Sequence, residues 1–252
     1  MDPVELGRTG LSVSPLGIGT GTNGWAGRSD QTGLGFQRLV RLLRYAYDQG
    51  ITFWDSADAY GSHWHVAEAM KGLDRASVVI VTKMLARSYA DAERDIQRFL
   101  RELRTELLDV VLLHGVMDGR WPERYTGAME ALSRAKDQGL VRAVGVSVHS
   151  LNALRTAAAS PWVNVALVRL NYDGMHMDAA PEEVLPLLKE MHASGKGIYA
   201  MKVLGRGALA HEAHRALRYV LDLPDVDAAT LGMMSEQEVR ENVGWVDGDI
   251  VS

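Results

Sequence analysis

Eight short runs of almost wholly apolar residues recur along the chain, at positions 16–19, 51–54, 78–82, 110–113, 143–147, 163–170, 198–203 and 226–231. Strands that alternate apolar with polar residues have one wet face; runs apolar throughout must be covered on both faces, as in parallel sheets. Between them lie segments of helical period, beginning near Phe36, His65, Asp91, Trp121, Leu151, Pro181, His211 and Ser235. The first shows the pattern: Phe36, Leu39, Val40, Leu43, Ala46 and Tyr47 form one stripe, with Arg38, Arg41 and Arg44 off it. "DQGIT", "DQGLV" and "SGKGI" each place glycine after a helix and before a strand, where a left-handed residue ends the helix. The 252 residues match the roughly 250 that eight such units need. The expected fold is α/β, a (β/α)8 TIM barrel spanning 1–252 as a single domain, with an open doubly wound sheet as the alternative. Ahead of the first run, "VELGRTGLSVSP" reads as a β-hairpin closing the barrel floor.

Composition removes several classes of function. The net charge of −5 offers no basic surface to nucleic acid or to an anionic membrane. With no cysteine there are no disulfides, thiolate metal sites or cysteine nucleophiles. The N-terminus carries no signal-like apolar stretch, and no run approaches the ~18 apolar residues of a membrane span. A cytoplasmic protein is expected; no feature sets an oligomeric state.

In a parallel barrel, reactive groups gather at the C-terminal ends of the strands. There the second run is followed by "DSADAYG", bringing Asp55 and Tyr60; the third ends in Lys83 and the fourth in His114. A buried aspartate needs a partner, and Lys83 on the next strand is the natural one. An ion pair at the barrel rim with an unrelated aromatic beside it is the plainer alternative.

These stretches, with "LGRTGLSVSPLGIGT", "GITFWDSADAYG", "VIVTK", "LDVVLLHG", "GLVRAVGVS", "MKVLGRG" and "LGMMSEQEVRENV", resemble the aldo-keto reductase family over essentially the whole chain. The resemblance implies a catalytic tetrad of Asp55, Tyr60, Lys83 and His114. Tyr60 would be the general acid in reducing an aldehyde or ketone, a small-molecule carbonyl substrate. Lys83 would lower the tyrosine pKa, Asp55 would hold the lysine, and His114 would donate to the substrate oxygen.

No Gly-x-Gly-x-x-Gly opens a helix after a strand, so a Rossmann pocket is not indicated. The resemblance instead implies NADPH lying across the barrel mouth, with NADH as the alternative. Ser147 would meet the carboxamide, Asn171 ends the sixth strand in the same region, and Met201 stands where relatives commonly stack an aromatic residue on the nicotinamide. Leu204, Gly205, Arg206 and Gly207 would hold the pyrophosphate through backbone N–H groups, with Lys202 in reach. Glu241 and Asn242 would bind the adenine. Glu238 stands where relatives often carry a cation for the 2′-phosphate of NADP, which keeps NADH in view. "GVSVHS" and "NYDGMHM" resemble a bacterial branch of the family in which some members carry ferredoxin-like domains; no such domain and no long C-terminal tail is expected here, leaving an open mouth. A cofactor-binding module with little turnover is the second functional reading.

Trp25, in a glycine-rich segment, with Trp64 and His149, are candidate substrate contacts. "HWH" at 63–65 and "HEAH" at 211–214 lack the spacing and company of a metal site, so no metal is expected. Asp58 reads as a loop cap, and the 11 methionines as core filling.

Overall fold

The computed structural model describes residues 1–248; the last four residues of the expected domain lie outside that range. Eight strands close into a parallel barrel: β3 (Leu16–Gly19), β4 (Phe53–Asp55), β5 (Val79–Met84), β6 (Leu108–Val116), β7 (Val141–Val148), β8 (Val165–Arg169), β9 (Gly197–Met201) and β10 (Ala228–Leu231), which returns to pair with β3. Two short strands precede it, β1 (Val4–Glu5) and β2 (Ser12–Val13), paired antiparallel.

Each barrel strand feeds two cores, which is why its sequence is apolar throughout. Phe53, Val81, Val110, Leu112 and Tyr199 point into the barrel, and Leu6, Leu11 and Val13 of the hairpin join them from below as a plug. Trp54, Val111, Leu113 and Val146 point outward against the helices. The expected helix-ending glycines are in place, Gly50, Gly139 and Gly195 having φ of 86°, 75° and 87°.

The outer layer is α2 (Phe36–Asp48), α3 (His63–Met70), α4 (Tyr89–Leu103), α6 (Thr126–Asp137), α7 (Leu151–Ala159), α8 (Pro181–Ala193), α9 (Ala213–Leu221) and α10 (Glu236–Asp247), with short α1 (Asp30–Gly33) and α5 (Trp121–Arg124). Two departures from the sequence reading matter. The segment expected as one helix from Trp121 breaks at Tyr125, whose φ of −112° and ψ of 14° are not helical. Strand β6 runs on past Leu113, with its register shifting between Leu113 and Val116 and Gly115 at φ 66°, so His114 sits in a bulge that re-aims it. Among the described residues, no helix is long and apolar enough to cross a membrane.

Candidate active site at the barrel mouth

Asp55 ends β4 and Lys83 lies near the end of β5; both face the barrel mouth and both are buried, the lysine at 0% exposure. Lys83 Nζ donates to Asp55 Oδ1 at 2.5 Å and to the Ser56 carbonyl at 2.8 Å. The second carboxylate oxygen, Oδ2, accepts from the hydroxyl of Tyr199 at 2.7 Å. A buried carboxylate is tolerated when each oxygen has a donor, and here both do.

Tyr60 rides on a single 3-10 turn, Asp58–Tyr60, directly after β4. Lys83 Nζ lies 5.0 Å from the centre of its ring. The ring meets that of His114 edge-on, centres 5.4 Å apart and planes at 84°, with the hydroxyl 3.4 Å from His114 Nε2. The turn is clamped from outside: Arg98 of α4 takes Asp58 in a two-pronged grip, 2.6 and 2.9 Å, and also meets Asp95 and Glu102. Asp58 is thus an anchor for the turn rather than a simple cap. Glu102 in turn bonds His63 Nδ1, whose other nitrogen meets Thr82 beside Lys83. Asp58, His63 and Glu102 bring ligand-type atoms within 4.8 Å of one another, and Arg98 and Thr82 already occupy that cluster.

Electrostatics sets the protonation states. Burial pushes the Tyr60 phenol above its ordinary pKa; the Lys83 ammonium opposes that and Asp55 adds to it. The lysine therefore acts in the expected direction, but burial outweighs it and the phenol holds its proton at neutral pH. Burial, helped by Lys83 and His149, lowers His114 to about 3, so its imidazole is neutral. His149, after β7, is lowered to about 4 by burial and by Arg169, Lys202 and Lys83. Its Nδ1 lies 2.7 Å from Arg169 Nη2 and accepts from it, leaving the imidazole proton on Nε2; Arg169 also grips Asp178 at 3.0 Å.

From Asp55 and Tyr60 a cavity of about 540 Å³ runs past Met201, Lys202 and Arg206 to Glu238, Glu241, Asn242 and Trp245 of α10. The Ser147 hydroxyl and Asn242 Oδ1 are buried without a hydrogen-bond partner. Lys202, half-buried with φ 61°, titrates below an ordinary lysine through burial and repulsion from Arg206, Arg169 and Lys83. Lys202 and Arg206 give the middle of the cavity a positive charge suited to an anionic group. Glu238 lines the α10 end and accepts from Met234 N at 2.9 Å, while Glu241 accepts from Gln237.

Other candidates are placed differently from their expected roles. In the Leu204–Gly207 turn, Gly205 N–H donates to the Lys202 carbonyl and Gly207 N–H to that of Leu204. These two amides are spent closing the turn, which leaves the Leu204 and Arg206 amides of the four and the side chains of Lys202 and Arg206 as donors there. Asn171 is fully buried, its amide donating to the carbonyls of Met175 and Lys202 and accepting from Asp173 N: it ties two loops together instead of facing the cavity. Trp64 is exposed and stacks on Arg104 in the outer layer, and Trp25 is 64% exposed on its loop; neither lines the cavity. Tyr199 and Arg169 escaped the sequence reading. Tyr199 had one legible signal, a hydroxyl in an otherwise apolar strand, which must find a partner when buried.

The sequence profile described as the aldo/keto reductase family matches residues 15–215. A Glycine max protein named "Probable aldo-keto reductase 1" is 30% identical over 222 residues, 82% of this chain and 60% of its own length. The chain thus spans about three-fifths of that curated relative. Among solved structures, a thermostable aldo-keto reductase, Tm1743, crystallised with the inhibitor epalrestat, is 26% identical with a TM-score of 0.80, covering 98% of this chain and 94% of its own. An aldo/keto reductase from Klebsiella pneumoniae in complex with NADP and acetate is 23% identical with a TM-score of 0.76, covering 98% and 90%, a likeness of fold.

Proposed function

The chain belongs to the aldo/keto reductase family, and from that premise we propose that it is an NADPH-dependent oxidoreductase reducing aldehydes or ketones to alcohols. The observation that carries the reading is the buried Asp55–Lys83 pair set against Tyr60, with neutral His114 beside it, at one end of the 540 Å³ cavity.

Bound NADPH supplies a hydride to the carbonyl carbon. As the C=O electrons move onto oxygen, that oxygen needs a proton and a hydrogen bond. Tyr60 Oη holds the proton and delivers it; the charge then left on the phenolate is met by Lys83, which Asp55 keeps in place. His114, neutral across the working pH range, donates from Nε2 to the same oxygen without competing as an acid. In the reverse direction the Tyr60 phenolate accepts the alcohol proton. Lys202 and Arg206, which line the cavity, would offer their charge to the pyrophosphate and Asn242 its unpaired oxygen to the adenosine end; Ser147, whose hydroxyl is unpaired but which lies outside the cavity lining, would meet the carboxamide.

Two titrations test this. NADPH added to the protein is expected to enhance and blue-shift its fluorescence on binding, and a panel of aldehydes and ketones is expected to consume it, as read by absorbance. Tyr60→Phe should bind NADPH normally and turn over at least 100-fold more slowly, a typical general-acid contribution. Unimpaired turnover by Tyr60→Phe would end the assignment of the acid, and failure to bind either nicotinamide cofactor would end the reading as a whole.

A further inference from the structure

Tyr199 is fully buried in the barrel interior, and its hydroxyl has one acceptor, Asp55 Oδ2, at 2.7 Å. Its ring packs edge-on against Phe53, centres 5.0 Å apart at 72°, a role phenylalanine would fill equally well. The hydroxyl therefore asks for its own explanation, because burying it is unfavourable unless its bond returns the cost. A bond to a carboxylate is charge-assisted and among the stronger kinds.

We infer that Tyr199 is a positioning residue that governs how much of the Lys83 charge reaches the Tyr60 phenol. Asp55 is held between two donors, Lys83 at Oδ1 and Tyr199 at Oδ2. Part of its negative charge is thus spent on a neutral hydroxyl on the side away from the ammonium. Without that hydroxyl, Oδ2 would be left bare in an apolar interior, and Lys83, bonded to Oδ1, is the other side-chain donor on that carboxylate. The carboxylate would turn both oxygens to the lysine and draw the ammonium and its charge off the Tyr60 ring, 5.0 Å away. Tyr60 would become a weaker acid.

The groups that face this set are few. Lys83 comes from β5, Tyr60 from the turn after β4 and His114 from β6; Lys202 beyond β9 and His149 beyond β7 act on it from the mouth. His114 and His149 are neutral above about pH 4 and do not change charge in the range of interest. Tyr199 itself stays protonated, since burial and the adjacent Asp55 raise its pKa well above that of a free tyrosine. It is a permanent donor, not a second titrating acid.

The inference rests on Tyr60 as the proton donor, so its test reads Tyr60 directly, apart from turnover. Tyrosinate absorbance and the ring-carbon NMR shifts of labelled tyrosines are followed with pH in wild type, Tyr60→Phe, Tyr199→Phe and the double variant. The difference between each protein and its Tyr60→Phe partner isolates residue 60. The expected result is a Tyr60 midpoint raised by roughly 0.5–1 unit in Tyr199→Phe. The phenolate-dependent limb of alcohol oxidation should move the same way, kcat falling with KM unchanged. If Tyr199→Phe folds poorly, 3,5-difluorotyrosine at position 199 keeps the shape and strengthens the donor, and the Tyr60 midpoint should then fall. An unmoved midpoint, with or without lost thermal stability, overturns the inference and leaves Tyr199 a packing residue. Turnover retained by Tyr60→Phe would instead remove the reading of the reaction, while the titration would still decide what Tyr199 does.

Discussion

Gly21 lies flat against the ring of Tyr60: a Cβ at residue 21 would overlap ring carbons Cε2 and Cζ, and one at Gly24 would overlap the opposite edge. The glycine-rich loop after β3 is therefore a cradle for the tyrosine that the site turns on. Its glycines answer a close approach, since neither residue has the left-handed backbone that would otherwise demand one. Together with the Arg98 grip on Asp58, the cradle holds a side chain that sits on only a single 3-10 turn.

Gly21→Ala should displace Tyr60 while leaving the barrel folded. The overlap is with a ring wedged from both sides, so a destabilisation of about 1–3 kcal/mol is expected, as for overpacking elsewhere. A loss in kcat/KM of roughly 10-fold or more should accompany it, because misplacement of a catalytic group by about an ångström is costly. Gly33→Ala at the end of α1, where a Cβ would meet nothing within 4 Å and the backbone is not left-handed, is the control. Equal kinetics for the two variants would show that the cradle does not position Tyr60.

Lys83→Met removes one member of a fully buried ion pair and leaves Asp55 charged in an apolar interior. Breaking such a pair typically destabilises by about 3–5 kcal/mol. The lysine is also the main influence lowering the Tyr60 pKa, so turnover at neutral pH should fall roughly 100-fold or more. Chemical denaturation and steady-state rates measure the two effects separately, and a stable, active Lys83→Met would contradict both.

Acid should destabilise the fold through His114 and His149. In the folded protein they titrate near 3 and 4, whereas in the unfolded chain they titrate near ~6.5. Between those values the unfolded state binds more protons. Their contribution is thus intact above about pH 6.5 and declines as pH falls, by about 1.4 kcal/mol per unit for each histidine. Urea denaturation at pH 7 and pH 5 should differ by roughly 3–4 kcal/mol from this pair, and His149→Asn should remove about half of the difference. A pH-independent midpoint would show that the two rings are not buried as neutral bases.

Glu238→Arg should tighten NADPH about tenfold, close to 1.4 kcal/mol, and leave NADH nearly unchanged. Glu238 lines the end of the cavity remote from Tyr60, where the adenosine half of a dinucleotide extended from Tyr60 would lie. Exchanging a carboxylate for a guanidinium there acts on a 2′-phosphate, while the loss of the bond from Met234 N falls on both cofactors alike. Fluorescence titration of both cofactors measures it; equal tightening of the two would place the 2′-phosphate elsewhere.

Much of the site was legible before any coordinates because of where the polar residues fall. Asp55, Lys83 and His114 each close or follow an apolar run, and closing the barrel brings those ends to one rim. What escaped were relationships between residues far apart in the chain. Tyr199 meets Asp55 across 144 positions, and Arg206 meets Asn23 across 183. Neither carries a local pattern: the first joins two strands through the barrel interior, and the second joins loops after β9 and β3, which closure of the barrel sets on either side of β10. The Leu204–Gly207 stretch was legible only in part: its glycines suggest amides open to a phosphate, and the turn that needs them uses the amides of Gly205 and Gly207 itself.

By itself, the order of apolar runs, helix stripes and glycine stops decided the parallel barrel and which side chains reach its mouth, because burial on two faces leaves few other ways to hide eight such strands. Only the closed three-dimensional structure decided the protonation states. Whether Tyr60 lies above or below its ordinary pKa depends on how far burial outweighs one ammonium, and whether Asp55 is held by one donor or two depends on a strand facing it across the barrel. Those are balances of distance and desolvation, and distance exists only once the chain has closed on itself.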